Sequence, residues 1–229
     1  KQKIYLSHWK AIQRLEEINP MANYGLNYKV ERLASFSADP LYNYQWNLRQ
    51  INLESALNAV GQEVKDVAVA VIDSGSPSVN SDAWNATDFI AGGYDFVAST
   101  SNGDGDGIDN DPTDPDASDA GLVSHGVHVA TTIGMKNDGA DFNGMAVKVM
   151  PLRVFPRQSV GGGYTYDTQQ AVLYAAGLPN NSGTIAPTTT PIKVINLSLK
   201  GGGVETCGVY ADVVAQGITV VAAAGNDEN

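Results

Sequence analysis

Val67-Ala-Val-Ala-Val-Ile-Asp73-Ser-Gly75 decides the fold: six apolar, mostly β-branched residues end abruptly on an acid, a serine and a glycine. So continuous an apolar run, closed by a turn, is the pattern of a strand covered on both faces of a parallel sheet. Three further runs have the same character, at 148–154 (Lys-Val-Met-Pro-Leu-Arg-Val), 192–198 (Ile-Lys-Val-Ile-Asn-Leu-Ser) and 218–224 (Ile-Thr-Val-Val-Ala-Ala-Ala). Helical patterns separate them at 125–134, 167–177 and 209–216. Alternation of this kind predicts an α/β fold, a parallel central sheet with helices on both faces. Ligands of such sheets bind beyond the carboxyl ends of the strands. Asp73, Ser198 and Gly225-Asn226 all fall at or just past such ends.

Upstream, the helical spacing of residues 8–18 is stopped by Asn19-Pro20, and residues 26–33 alternate as a strand. Ser35-Phe-Ser-Ala-Asp-Pro40 reads as a linker, which places a boundary near residue 38. The chain starts on Lys1 rather than Met, so its start reads as a processed or truncated end.

Composition narrows the function classes. Twenty-five acidic residues against 14 basic ones give a formal charge of −11. A surface of that sign repels nucleic acid. No apolar stretch approaches the roughly 18 residues of a membrane helix, and no basic-then-apolar signal segment opens the chain. Cys207 is the single cysteine, which excludes a disulfide or multi-cysteine zinc site within residues 1–229 and leaves open a partner outside them. No Gly-x-Gly-x-x-Gly follows a strand, so dinucleotide binding is disfavoured.

Chemistry is concentrated in the pair Asp73 and His125. A carboxylate that accepts the Nδ1–H of a histidine fixes its tautomer and stabilises the imidazolium formed when Nε2 takes a proton. Ser74 and Gly75 permit a sharp turn and a hydrogen bond to the carboxylate, although Asp-Ser-Gly also suits an ordinary turn. Ser124-His125-Gly126 puts the imidazole at the mouth of a helix, with Gly126 leaving room beside the ring. His128 reads as a buried structural histidine ahead of a metal ligand. Asn226, after what reads as a buried strand, could donate to an oxyanion, or simply belong to a Gly-Asn turn. Ser198-Leu199 and Gly161-Gly162-Gly163 offer backbone with which an extended peptide could pair, or form loops.

Asn102-Gly-Asp104-Gly-Asp106-Gly-Ile-Asp109-Asn-Asp111 sets carboxylates at short spacing on a turning backbone. Hard oxygen donors so arranged suit calcium; a solvated acidic loop is the alternative. The missing terminal glutamate and flanking helices argue against an EF-hand.

Taken together, Val-Ile-Asp73-Ser-Gly, Ser-His125-Gly-Val-His-Val-Ala, Val-Ile-Asn-Leu-Ser198-Leu and Val-Ala-Ala-Ala-Gly-Asn226 resemble the subtilisin-like serine endopeptidases, in the same order along the chain. The resemblance covers roughly residues 39–229, and Asp39-Pro-Leu-Tyr…Gln45-Trp looks like the start of a mature domain in secreted bacterial members. It implies that residues 1–38 are the end of an inhibitory propeptide and 39–229 the N-terminal part of a catalytic domain. It implies further that the protein is extracellular, that its partner is a polypeptide substrate, that Asp73 orients His125, that His125 is the general base and that Asn226 helps form the oxyanion hole. Loss of such a donor costs about 10²–10³ in kcat, a figure that comes from a subtilisin. Asp-rich insertions in secreted members bind calcium, which the resemblance extends to the loop of Asp104, Asp106, Asp109 and Asp111, with Asn137-Asp138-Gly and Asp82 as a weaker second place.

Three departures stand out. Val127 and Thr131 replace the threonine and glycine of the usual His-Gly-Thr-His-Val-Ala-Gly, and Lys200 interrupts the expected Ser-Leu-Gly-Gly. The nucleophile segment Gly-Thr-Ser-Met-Ala is not among residues 1–229. The expectation is therefore that this polypeptide alone forms no acyl-enzyme, and that the serine comes from a continuation of the gene or from a second chain. A non-catalytic module binding peptide or calcium is the alternative reading.

Overall fold

The computed structural model describes residue 14 and residues 40–60, 67–77, 88–99, 104–117, 124–136, 144–145, 147–157, 162–187, 189, 191–201 and 208–226. The chain divides into two compact units, Lys1–Leu33 and Ala34–Asn229. The helix expected over 8–18, Arg14 apart, and the strand expected over 26–33 lie outside the described residues. So do Asp82, Asn137, Asp138, Gly161 and Cys207.

The second unit opens with two short helices, α1 (Trp46–Gln50) and α2 (Leu53–Val60). Leu48 and Leu53 are buried together, and Tyr42, Leu57 and Met145 pack against them. Then come β1 (Ala68–Asp73), β2 (Asp88–Phe89), β3 (Tyr94–Asp95), α3 (His125–Gly134), β4 (Lys148–Arg153), α4 (Thr165–Ala175), β5 (Ile192–Leu197), α5 (Gly208–Ala215) and β6 (Thr219–Ala222). The strands form one sheet in the order β2-β4-β1-β5-β6, with β3 also on the outer edge of β4. Every strand pair in it is parallel.

β1 lies between β4 and β5, and all six of its residues are buried. Its side chains alternate between two cores. Ala68, Ala70 and Ile72 join Met150 and Leu152 of β4, Ala171 and Val172 of α4 and Val213 of α5. Val69 and Val71 join Val149 and Ala130 of α3 on the other face. An uninterrupted apolar run is what a central strand with helices on both sides requires. The α/β parallel-sheet architecture is thus the one expected.

The chain leaves β1 through α3 to reach β4 on one side, then returns through α4 to β5 on the other. The order reverses beside β1, and the crevice of a doubly wound sheet opens at such a reversal, beyond the carboxyl ends. Asp73 is the last residue of β1.

One expectation is corrected. The run 218–224 reads as a buried strand, but Thr219 and Ala222 are exposed and Val221 is 49% exposed. Ile218 is buried and Val220 packs on the larger core, and among the described residues only β5 pairs with β6, which leaves its remaining side chains uncovered by them.

Candidate active site

Ser124 caps α3: its hydroxyl accepts from the Val127 N–H at 3.3 Å, and His125 is the first helical residue. The imidazole therefore stands at a fixed helix end beside the end of β1. His125 Nδ1 lies 2.8 Å from Asp73 Oδ1 and 2.9 Å from Oδ2. An ionised carboxylate only accepts, so Nδ1 carries the proton and Nε2 is left with a free lone pair.

The two partners differ sharply in exposure, with the Asp73 side chain at 1% and that of His125 at 58%. Burial pushes the Asp73 carboxyl above its ordinary value, while the hydrogen bonds from His125 and the Ser74 N–H, the latter at 2.7 Å, pull it back. The acid is thus a buried group held by its histidine, and the open face of the ring meets a cleft of about 770 Å³. His128, Thr132, Asn196 and Ser198 line that cleft with His125.

Two glycines bring strand end and helix together. A Cβ on Gly126 would stand 2.7 Å from the Gly75 oxygen and 2.8 Å from its nitrogen. Gly75 has φ +111°, and a Cβ there would meet the Pro112 oxygen at 2.3 Å. The role of Gly126 is thus close backbone approach to the 74–75 turn. Ser74 bonds the Asp73 carboxylate as expected, through its N–H, and its hydroxyl donates to Asp114. His128 is exposed rather than buried, because α3 turns that position toward the cleft.

Ser198 follows β5, and its hydroxyl accepts from Asn196 Nδ2 at 3.0 Å. Leu199 packs on the larger core. Gly162 has open space around its α-carbon, whereas a Cβ on Gly163 would stand 2.4 Å from the Val154 oxygen. Asn226 is exposed just beyond β6, after Gly225 at φ +96°, and is not among the residues lining the cleft.

In the acidic loop the carboxylates that converge are Asp95, Asp104 and Asp106, with one oxygen of each within 4.8 Å of the others. Asp109 Oδ1 accepts from the Asp111 N–H at 2.7 Å, and Asp111 Oδ1 from the Thr113 N–H at 3.0 Å, so both stabilise turns. Arg153, fully buried, donates through Nη1 to Asp95 at 2.7 Å and also to Asp104. Its Nη2 has no partner among the described residues. Burial pushes Asp95 up to about 7, against the opposing pull of the Val97 N–H and Arg153. Asp104 is raised by burial and by its hydrogen bond with Asp106. The raised Asp95 and Asp104 show carboxyls that keep protons for want of positive charge, and three converging hard oxygen donors fit a divalent cation that would displace those protons.

Asp95, Arg153, Asp114 and Ser124 were not singled out from sequence. Ser124 carried a usable signal, as a serine directly before a helical run. Arg153 carried another, a cation inside an apolar strand.

These features define a class. Residues 64–229 match the subtilase family of peptidases, and the chain belongs to it. It is 36% identical over 179 residues to an extracellular protease of Xanthomonas campestris pv. campestris, covering 69% of this chain and 29% of that one. It is 32% identical over 174 residues to subtilisin E of Bacillus subtilis, covering 75% of this chain and 37% of the relative. Among solved structures, proteases from Pseudoalteromonas arctica PAMC 21717 superimpose with a TM-score of 0.69 at 31% identity, over 83% of this chain and 59% of theirs. The chain thus spans about a third of the length of these curated relatives. In both, the matched stretch lies within one longer chain, which lends no support to a separate second chain carrying the rest of the domain.

Proposed function

We propose that the protein to which this chain belongs is an extracellular serine endopeptidase that hydrolyses peptide bonds through Asp73, His125 and a serine supplied by polypeptide outside residues 1–229. One observation supports this above all: a buried carboxylate holds Nδ1 of an imidazole whose other side is open to a cleft. Family membership and the likeness to the Xanthomonas extracellular protease agree with it.

In this reading His125 Nε2 takes the proton of the attacking serine as its oxygen bonds the substrate carbonyl carbon. Asp73 stabilises the imidazolium so formed, and Asn226 donates to the oxyanion once the chain around β6 is complete. The imidazolium then protonates the leaving amine, and water releases the acyl group by the same route. Ser198-Leu199 and Gly161-Gly162-Gly163 pair with the substrate backbone as an added strand. The cleft beside α3 receives the serine-bearing segment. Residues 1–38 act as the end of an inhibitory propeptide.

Calcium is the proposed structural ion. Asp95, Asp104 and Asp106 are the residues that would hold it, with Asp109 and Asp111 shaping the loop; the ion would supply charge compensation and rigidity.

The test is labelling of the full-length protein with a serine-directed fluorophosphonate. Covalent label on one internal serine, lost in His125→Ala, is the expected result. No labelling of folded wild-type protein, with no hydrolysis of an unfolded protein substrate, would remove the endopeptidase reading.

A further inference from the structure

We infer that Asp114 is a positioning residue for the Asp73–His125 pair and acts through the two serines adjacent to that pair in sequence. Only the kinetic consequence rests on the endopeptidase reading; the positioning itself does not.

Asp114 is 2% exposed and belongs to no regular element. Its Oδ2 accepts from Ser74 Oγ at 2.7 Å and from Ser124 Oγ at 2.7 Å. Ser74 follows Asp73 and Ser124 precedes His125, so one carboxylate oxygen joins the segments that carry acid and base. Each hydroxyl spends its single proton on Asp114 and presents lone pairs elsewhere. Ser74 Oγ accepts from the Gly126 N–H at 2.9 Å, and Ser124 Oγ from the Val127 N–H at 3.3 Å. These two N–H groups belong to the first turn of α3, where the helix leaves donors without internal partners.

The carboxylate thereby fixes the sense of both hydroxyls. A serine facing a neutral donor could turn its proton toward α3 and repel the N–H; a serine facing an acceptor-only carboxylate cannot. Donation to a charged acceptor also strengthens the hydroxyl as an acceptor in turn. Asp114 places its negative charge near the positive end of α3, a favourable arrangement.

Asp114 is itself anchored. Its Oδ1 accepts from the Asp116 N–H at 2.9 Å, and its N–H donates to the Ser76 oxygen at 2.6 Å. The Ser76 N–H donates to the Pro112 oxygen at 2.8 Å, tying the 112–116 strap to the turn after Asp73. Strap, turn and helix start therefore share one buried acceptor. Its charge is close enough to act on Asp73.

Asparagine is a poor replacement, because one amide presents an oxygen and an NH₂ where the site needs two acceptors. Either the serines or the Asp116 N–H would then face a donor.

The experiment compares wild-type full-length protein with Asp114→Ala, Asp114→Asn, Ser74→Ala/Ser124→Ala and the triple variant, by steady-state hydrolysis of a peptide substrate and by the proton resonance of His125 Nδ1–H. Displacement of a catalytic group by about 1 Å costs about 10²-fold. Asp114→Ala is expected to lower kcat by about that factor with KM within about twofold, and Asp114→Asn by less. The double serine variant should match Asp114→Ala, and the triple variant should fall no further. The Nδ1–H resonance should shift or broaden in each. A folded Asp114→Ala with kcat within about twofold of wild type and an unmoved resonance overturns the inference, as does a fully additive triple variant. Should Asp114→Ala not fold, Ser124→Ala alone decides: kcat is expected to drop about tenfold, and an unchanged kcat overturns the inference. A wild-type protein that hydrolyses nothing removes the endopeptidase reading instead, while the resonance still decides the role of Asp114.

Discussion

Gly126 lies against Gly75 so closely that a methyl group on the first would stand 2.7 Å from the carbonyl oxygen of the second. The opposing atoms are backbone on both sides and cannot swing away as a side chain could. Gly126→Ala is therefore expected to push the start of α3 off the turn after Asp73 and to lower kcat by about 10²-fold. Peptide hydrolysis at saturating substrate, with circular dichroism to verify folding, measures this; activity within about threefold of wild type would show that the contact does not set the catalytic geometry.

Arg153 stands opposite Asp73 in the β1–β4 register, is wholly buried, and pairs with Asp95 and Asp104. Its removal leaves the buried Asp95 carboxyl without its cation, while Asp104 is exposed and can turn to solvent. Arg153→Met is expected to destabilise the calcium-free protein by about 3–5 kcal/mol, as other broken buried ion pairs do. Saturating calcium is expected to recover part of the loss, because an ion among the same carboxylates supplies the missing positive charge. Chemical denaturation with and without calcium makes the comparison.

Chelation is expected to lower the melting temperature of wild-type protein, and calorimetry to detect calcium binding that Asp104→Ala and Asp106→Ala abolish. Asp111→Ala should retain it, since that carboxylate is engaged with Thr113. Calcium binding unchanged in Asp104→Ala and Asp106→Ala would dismiss the site.

Asp167 is buried in the first turn of α4, and burial raises its carboxyl above the ordinary 3.8. The folded chain then holds this proton to higher pH than the unfolded chain does. By linkage, wild-type stability falls at this group as pH rises from the unfolded value through the folded one. Asp167→Asn lacks that fall. The variant is expected to melt above wild type at pH 7, with the difference shrinking toward pH 3; a lower melting temperature at pH 7 would mean that the helix N-terminus outweighs desolvation.

The sheet was legible because its strands are apolar runs ended by turn residues, and α3 because helical spacing runs over 125–134. Helix ends slipped by one or two residues, α4 running over Thr165–Ala175 rather than 167–177. β2 and β3, two residues each, are too short to carry a period. Leu48, Leu53 and Leu57 hold the opening helices, but the segment is too short for that spacing to stand out. Asp73 and His125 were legible from their places at element ends. The partnership of Arg153 with Asp95 and Asp104 was not, since those residues lie 58 and 49 positions away and the β3–β4 pairing and the Asp95–Asp109 bridge bring them together. Asp114 was hidden in the same way: its two serine partners are 40 and 10 residues distant.

The most direct measurement is kcat for peptide hydrolysis by the full-length protein carrying Asp73→Asn. Asparagine keeps the shape but no longer holds His125 in the tautomer with Nε2 free. If Asp73 and His125 are the acid and base of an endopeptidase, kcat falls by about 10⁴ in a normally folded variant. A folded Asp73→Asn protein that retains kcat within about tenfold of wild type would contradict the account.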